Sequence, residues 1–202
     1  MVGGSGLYID AVCKGIDDLP TIDPEIRKNL TERYKNEGIE SLRMEIKRID
    51  PQYYEKVDLA NHKRILKALE VYYMTGRPFS TFLTSQIKHR NFRIIKVALN
   101  RKRDLLHSII NQRVDKMINQ GLIEEAKELY PFKYLNALNT VGYKELFAYF
   151  DNKMSLEEAI EKIKRNTRQY ARRQISWFNR FNEYKWFDPD DSDIIEQISA
   201  LL

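Results

Sequence analysis

A chain of 202 residues is long enough to bury a real core, in one good-sized domain or two small ones. Hydrophobic residues at 43% and aromatics at 11% are globular values that exclude disorder, and no run approaches the eighteen apolar residues of a membrane span. Cys13 stands alone, which excludes a disulfide framework or a cysteine-based metal site within the chain, and the net charge of +5 matters through its distribution rather than its size.

Along the chain, Val2-Gly3-Gly4-Ser5-Gly6-Leu7-Tyr8 reads as a glycine-rich turn into an amphipathic helix, with no basic start or long apolar stretch of a signal peptide, so the expected location is cytoplasmic. Asp23-Pro24 is a cap followed by proline at the first helical position and opens a helix toward Asn36. Leu42, Ile46 and Ile49 repeat at helical spacing over 39–49, and Asp50-Pro51 opens another short helix. Asn61 can cap a helix whose apolar face is Ile65, Leu66, Leu69, Val71 and Tyr72, ended by Gly76 and Pro78. Residues 15–88 therefore read as an all-helical subdomain. The stretch 92–99 is different: short, β-rich and bounded by polar residues, it predicts a strand, with Val2 or 184–187 as its few available partners. Helices follow at about 103–119, 123–130, 141–150 and 155–180, the last opened by a capping box of Ser155 and Glu158. The acidic tail from Asp188 to Asp193 has no metal-site spacing and reads as solvated. The fold class expected is mainly α with a minor β part.

The basic excess lies in two places. From Gln86 to Arg103 there are seven basic residues and no acid, and from Glu161 to Lys185 eight basic residues against two acids, so the remainder of the chain is net negative. A polyanion such as RNA explains this polarity; a solvated helix face gives the same pattern. On the ideal pitch of the last long helix, Arg165, Arg168 and Arg172 share one face, and Arg173, Trp177 and Arg180 another.

Six segments in register resemble one family. They are VGGSGLYI at 2–9, DPEIRKNL at 23–30, NHKRILKALEVYYMTGRPFS at 61–80, RDLLHSIINQRVDKMINQGLIEEAKEL at 103–129, NTVGYKEL at 139–146 and NTRQYARRQISWF at 166–178. Their order and spacing are similar to those of the tRNA dimethylallyltransferases (MiaA-type isopentenyltransferases). The resemblance implies transfer of a dimethylallyl group from dimethylallyl diphosphate to N6 of adenosine 37 beside the tRNA anticodon, with release of diphosphate. It implies a helical insert domain that grips the anticodon stem-loop, at 15–88, between a core segment at 1–14 and the C-terminal part of a P-loop-type α/β core at 89–202. It also implies Mg²⁺ brought by the diphosphate, and a monomeric full-length enzyme. Family members carry a phosphate loop and a general-base aspartate upstream of the glycine turn; the chain as given is therefore expected to be inactive by itself. A non-catalytic helical RNA-binding module with the same basic faces is the alternative.

Carried onto these positions, the resemblance places Ser5 near the target base, where a hydroxyl can orient a flipped adenine, although it can equally cap the following helix. Arg103 matches an arginine near the diphosphate and target nucleotide; a guanidinium fork suits a leaving group whose charge grows as the allylic bond breaks. His107, one turn later, reads as packed or solvated. For tRNA, the candidates are Arg27, the helix start Asn61, His62, Lys63, Arg64 and Ile65, and the turn Thr140, Gly142, Tyr143 and Lys144, where a tyrosine can stack on an unpaired base. On the last long helix they are Arg168, Arg172, Arg173, Gln174 and Trp177.

Overall fold

Residues 1–84, 87–180 and 182–201 are described by a computed structural model of the protein; Gln86, where the first basic run begins, lies outside them. The chain divides into two units, residues 8–91 and residues 1–7 with 92–202, whereas the helical signals and the family resemblance predict boundaries at 14/15 and 88/89. Mainly helical, with one small sheet, it has the architecture that the apolar spacing predicts.

In the unit of residues 8–91, α1 (Gly6–Lys14), which begins in the other unit, leads to α2 (Pro24–Glu37), α3 (Ile39–Ile49), α4 (Pro51–Tyr54) and α5 (His62–Thr75). Asp23 caps α2 by accepting from the Glu25 amide at 2.8 Å, and Pro24 occupies a position whose missing N–H costs nothing. Asp50 is buried because its carboxylate serves two amides, Tyr53 at the start of α4 (3.0 Å) and Ser80 in the 3₁₀ turn Phe79–Phe82 (2.7 Å). Asn61 caps α5 through the Arg64 amide. Leu42, Ile46, Ile65 and Leu69 are fully buried at the centre, each worth about 1.5–3 kcal/mol. The two chain segments beside the unit boundary are tied together: the Lys88 amide donates to the Lys14 carbonyl, Arg90 Nη2 to the Ala11 carbonyl, and Thr84 to Asp17.

The second unit holds β1 (Val97–Leu99), α6 (Arg103–Asn119), α7 (Leu122–Leu129), α8 (Tyr143–Phe150), α9 (Leu156–Phe178), β2 (Lys185–Phe187) and α10 (Ile194–Ser199). β1 and β2 pair in parallel with Val97 opposite Lys185 and Leu99 opposite Phe187. The strand expected over 92–99 is thus only three residues long, because its partner offers a ladder no longer; Val2, the other candidate partner, is fully exposed and in no strand. Val114, Leu122, Ala126, Leu146, Phe147 and Ile163 form a core shared by α6, α7, α8 and α9. The Ser155–Glu158 capping box forms as the sequence predicts, with both arms in place at 3.2 and 2.9 Å.

Candidate functional site

α9 carries the second basic run across the first turns of α6, and the packing of these two helices decides which cations converge. An open cavity of about 400 Å³ lies there, lined by Asn100, Arg101, Arg103, Leu106, His107 and, from α9, Arg165, Arg168, Gln169, Arg172, Ile175 and Ser176. Five guanidiniums and an imidazole face it, and among the described residues no carboxylate lines it. Arg165, Arg168 and Arg172 share the face that helical pitch assigns them. Arg103 joins them because it opens α6 directly after β1, where the helix N-terminus adds its own amide donors and positive dipole end.

The five arginines differ in what holds them. Arg101 forms a two-pronged pair with Asp190, Nε to Oδ2 at 2.8 Å and Nη2 to Oδ1 at 2.7 Å, which raises the guanidinium's pKa and lowers that of the Asp190 carboxyl. Arg168 donates to the Asn111 amide oxygen at 2.5 Å, a neutral partner that orients the fork without cancelling its charge. Among the described residues, Arg103, Arg165 and Arg172 have no acidic partner. Such a cluster of like charges favours a multivalent anion.

The glycine turn meets α9 on an adjoining face. A Cβ at Gly4 would stand 2.1 Å from Gln174 Oε1, and one at Gly6 would stand 2.2 Å from Trp177 Nε1. The close approach that these glycines permit is therefore to the protein's own helix. Ser5 lies exposed between them, outside the residues lining the cavity. Trp177 is half-buried under Gly6 with the Arg180 guanidinium 4.4 Å from its ring centre, whereas Arg173 is exposed and lies 5.9 Å over Tyr170.

The turn at 140–144 is built by Glu145, a buried carboxylate that accepts from the Gly142 amide at 2.8 Å and from Asn166 Nδ2 of α9 at 2.7 Å. Gly142, with φ of 108°, starts α8 two residues later than the predicted 141. Tyr143 is half-buried, packs on Phe147 and donates its hydroxyl to Glu125; Thr140 and Lys144 are exposed. None of these four lines the cavity, and Gly142 corrects its expected role of contacting RNA, since it is buried with its amide taken by Glu145.

The remaining candidates lie in the other unit. Arg27 pairs with Glu70, Nε to Oε1 at 2.9 Å and Nη2 to Oε2 at 3.2 Å, and this partner raises its pKa. Its side chain is still 59% exposed, whereas that of Glu70 is only 8% exposed. Asn61 is a helix cap, His62 stacks on Tyr34 with ring centres 4.8 Å apart, and Lys63 and Arg64 are exposed. Ile65 corrects its expected role: its side chain is wholly buried in the helical core, so it has no surface to offer RNA.

Arg101, Arg165 and His107 line the cavity although they stand outside the expected set of site residues, as do its uncharged lining residues. Arg101 is hidden in sequence because only the β1–β2 register brings it to the cavity, and Asn111, which is not a lining residue, orients Arg168 from α6. His107, expected to be packed or solvated, lines the cavity. Asp190 likewise corrects the reading of 188–193 as a merely solvated tail, since it grips Arg101.

The family model described as IPP transferase matches residues 1–181. The chain belongs to the IPP transferase family. Among its relatives, tRNA dimethylallyltransferase 2 of Parabacteroides distasonis is 56% identical over 195 residues, covering 96% of this chain and 65% of that protein. tRNA dimethylallyltransferase 1 of Bacteroides fragilis is 50% identical over 203 residues, covering the whole chain and 67% of its own length. The chain thus spans about 65% of the length of the first of these relatives. The crystal structure of the full-length tRNA isopentenylpyrophosphate transferase of Bacillus halodurans is 34% identical with a TM-score of 0.55, over 97% of this chain and 61% of that one. A eukaryotic dimethylallyltransferase acting on tRNA, at 23% identity, shares the fold, with a TM-score of 0.73 over 99% of this chain and 54% of that one. The IPP transferase match takes in the glycine turn, the helical unit, and the α6 and α9 segments that build the cavity.

Proposed function

We propose that this chain supplies the tRNA-binding and C-terminal part of a tRNA dimethylallyltransferase, which moves a dimethylallyl group from dimethylallyl diphosphate to N6 of adenosine 37 in the anticodon loop. The observation that carries this reading is the convergence of Arg103, Arg165, Arg168 and Arg172 on one cavity without a lining carboxylate among the described residues. In the transfer, the N6 lone pair forms a bond to the allylic C1 while the C1–O bond breaks, its electron pair leaving on the diphosphate and one N6 proton passing to a base. Negative charge grows on the leaving oxygen, and guanidiniums fixed in advance stabilise it without reorganising. Arg103 is the catalytic candidate for that task, and Ser5 the hydroxyl that orients the base from the turn beside α9. Arg168, Arg172, Arg173, Gln174 and Trp177 on α9 hold the RNA backbone and loop, joined by Thr140, Tyr143 and Lys144. In the helical unit, Arg27, Asn61, His62, Lys63 and Arg64 serve the stem.

The cavity offers the neutral oxygens of Asn100, Gln169 and Ser176 but, among the described residues, no carboxylate, and its five guanidiniums repel a hard dication; no cluster of three His, Cys, Asp or Glu suited to a metal occurs among the described residues. No step is therefore assigned to Mg²⁺ held by these side chains. Nor do the 202 residues contain the glycine-rich sequence ending in Gly-Lys-Ser or Gly-Lys-Thr that cradles phosphates. This chain by itself is expected to bind RNA and to show no transfer. No described helix is long and apolar enough to cross a membrane.

The test is binding of the chain to an anticodon stem-loop bearing A36 and A37 across a salt series. Micromolar binding with a steep salt slope is expected, weakened about tenfold by Arg103→Ala or Arg172→Ala and unchanged by Lys127→Ala on the exposed face of α7. Binding indifferent to both cavity arginines would sink the reading.

A further inference from the structure

The Arg101–Asp190 pair follows from the sheet. β1 and β2 run in register through Leu99 and Phe187, and the Asn100 amide extends the ladder by donating to the Phe187 carbonyl at 3.1 Å. Beyond this point the two segments leave the strands side by side, so Arg101 and the acidic segment that follows β2 emerge together. A turn fixes that segment: the Asp190 amide donates to Asp188 Oδ1 at 3.1 Å and the Asp191 amide to the Asp188 carbonyl at 3.2 Å. Asp190 then meets Arg101 in the two-pronged geometry that a phosphate takes on a guanidinium. Among the cavity's five arginines, Arg101 is the one that carries a carboxylate partner within the described residues. The pair is also open to exchange, with 29% of the Arg101 side chain and 51% of the Asp190 side chain exposed. Exposed pairs of this kind are held weakly and are screened by salt.

We propose that Asp190 is a specificity-determining residue: its carboxylate stands on the Arg101 fork in place of a phosphate, so that only a ligand able to displace it engages the rim of the cavity. This rests on the reading that the cavity takes RNA phosphate. A small anion satisfied by Arg103, Arg165 and Arg172 leaves the pair closed. A polyanion whose backbone continues past these three exchanges one more phosphate for the carboxylate. Asp190 thereby weakens the hold on an extended anion at the rim and leaves a small anion unaffected, which limits how far affinity grows with the length of the anion.

The decisive experiment measures binding of an anticodon stem-loop RNA over a salt series to the wild-type chain, Asp190→Asn, Arg101→Ala and the double variant, with far-UV circular dichroism melts confirming that each is folded. Asp190→Asn is expected to tighten low-salt binding about fivefold and to steepen the log–log salt slope by about 0.7–0.9, one added phosphate contact. Arg101→Ala alone should change affinity less than about twofold, and the double variant should match it, because the gain requires the Arg101 fork. Weaker binding by Asp190→Asn would overturn the proposal and make Asp190 a group that positions Arg101. A gain that survives in the double variant would also overturn it, as simple removal of a negative charge. Wild-type binding that depends on Arg172 but is unchanged by Asp190→Asn overturns this proposal alone. Binding by neither wild type nor Asp190→Asn overturns it together with the RNA reading of the cavity.

Discussion

Arg27 binds Glu70 through Nε and Nη2, which leaves Nη1 to meet a phosphate, while Glu70 is itself buried. Truncating the arginine therefore does two things at once. It removes a cation from a candidate RNA surface, and it leaves a desolvated carboxylate whose remaining cation among the described residues is Lys67, at 4.0 Å. Arg27→Ala is expected to lower stability by about 2 kcal/mol in denaturant unfolding, and adding Glu70→Gln should return much of that loss while RNA affinity stays reduced. Unchanged stability in Arg27→Ala would show that Glu70 needs no partner. The sequence displays Arg27 as an exposed position on a capped helix, which is correct as far as it goes. Glu70 is illegible there: it lies between Leu69 and Val71, and its burial depends on α2 lying against α5, 43 residues away in the chain. Ile65 fails in the opposite sense, since a family segment includes it among RNA-facing residues while the apolar spacing of α5 marks it as core. Periodicity is the better guide there.

Local signals at helix ends are legible because capping chemistry acts over three or four residues, and Asp23, Asn61 and Ser155 all cap as their sequences predict. Strand length is not local: β1 extends only as far as its distant partner allows. The glycine turn shows how one composition serves two different physical needs. Gly6 lies under Trp177 without room for a Cβ, whereas around Gly142 a Cβ would meet nothing within 4 Å and the constraint is the positive φ of 108°. Gly6→Ala is thus expected to push the indole aside, costing about 1–3 kcal/mol and shifting tryptophan emission. Gly142→Ala should cost about 1–2 kcal/mol of backbone strain while leaving emission unchanged. Gly4→Ala should be milder than Gly6→Ala, because the end of the Gln174 side chain can rotate away where an indole cannot. Equal emission spectra for wild type and Gly6→Ala would refute the packing of the turn on α9.

At the scale of the whole molecule, charge and core are arranged separately. The basic excess marks the cavity helices in the sequence, but which five arginines converge depends on the crossing of α6 and α9. The two hydrophobic cores share no residue: one is centred on Leu42, Ile46, Ile65 and Leu69, the other on Val114, Leu146, Phe147 and Ile163. Each unit therefore has its own source of cooperativity. Both tryptophans, Trp177 and Trp186, belong to the unit of residues 1–7 and 92–202, so their fluorescence reports that unit while far-UV circular dichroism reports both. Leu69→Ala, at a fully buried site, should cost the helical unit about 2–5 kcal/mol. It should move part of the dichroism transition to lower temperature and leave the fluorescence midpoint in place. Leu146→Ala, equally buried in the other core, should move the fluorescence midpoint. If Leu69→Ala instead displaces both signals together, the two units unfold as one, and the helical unit draws its stability from beyond its own core.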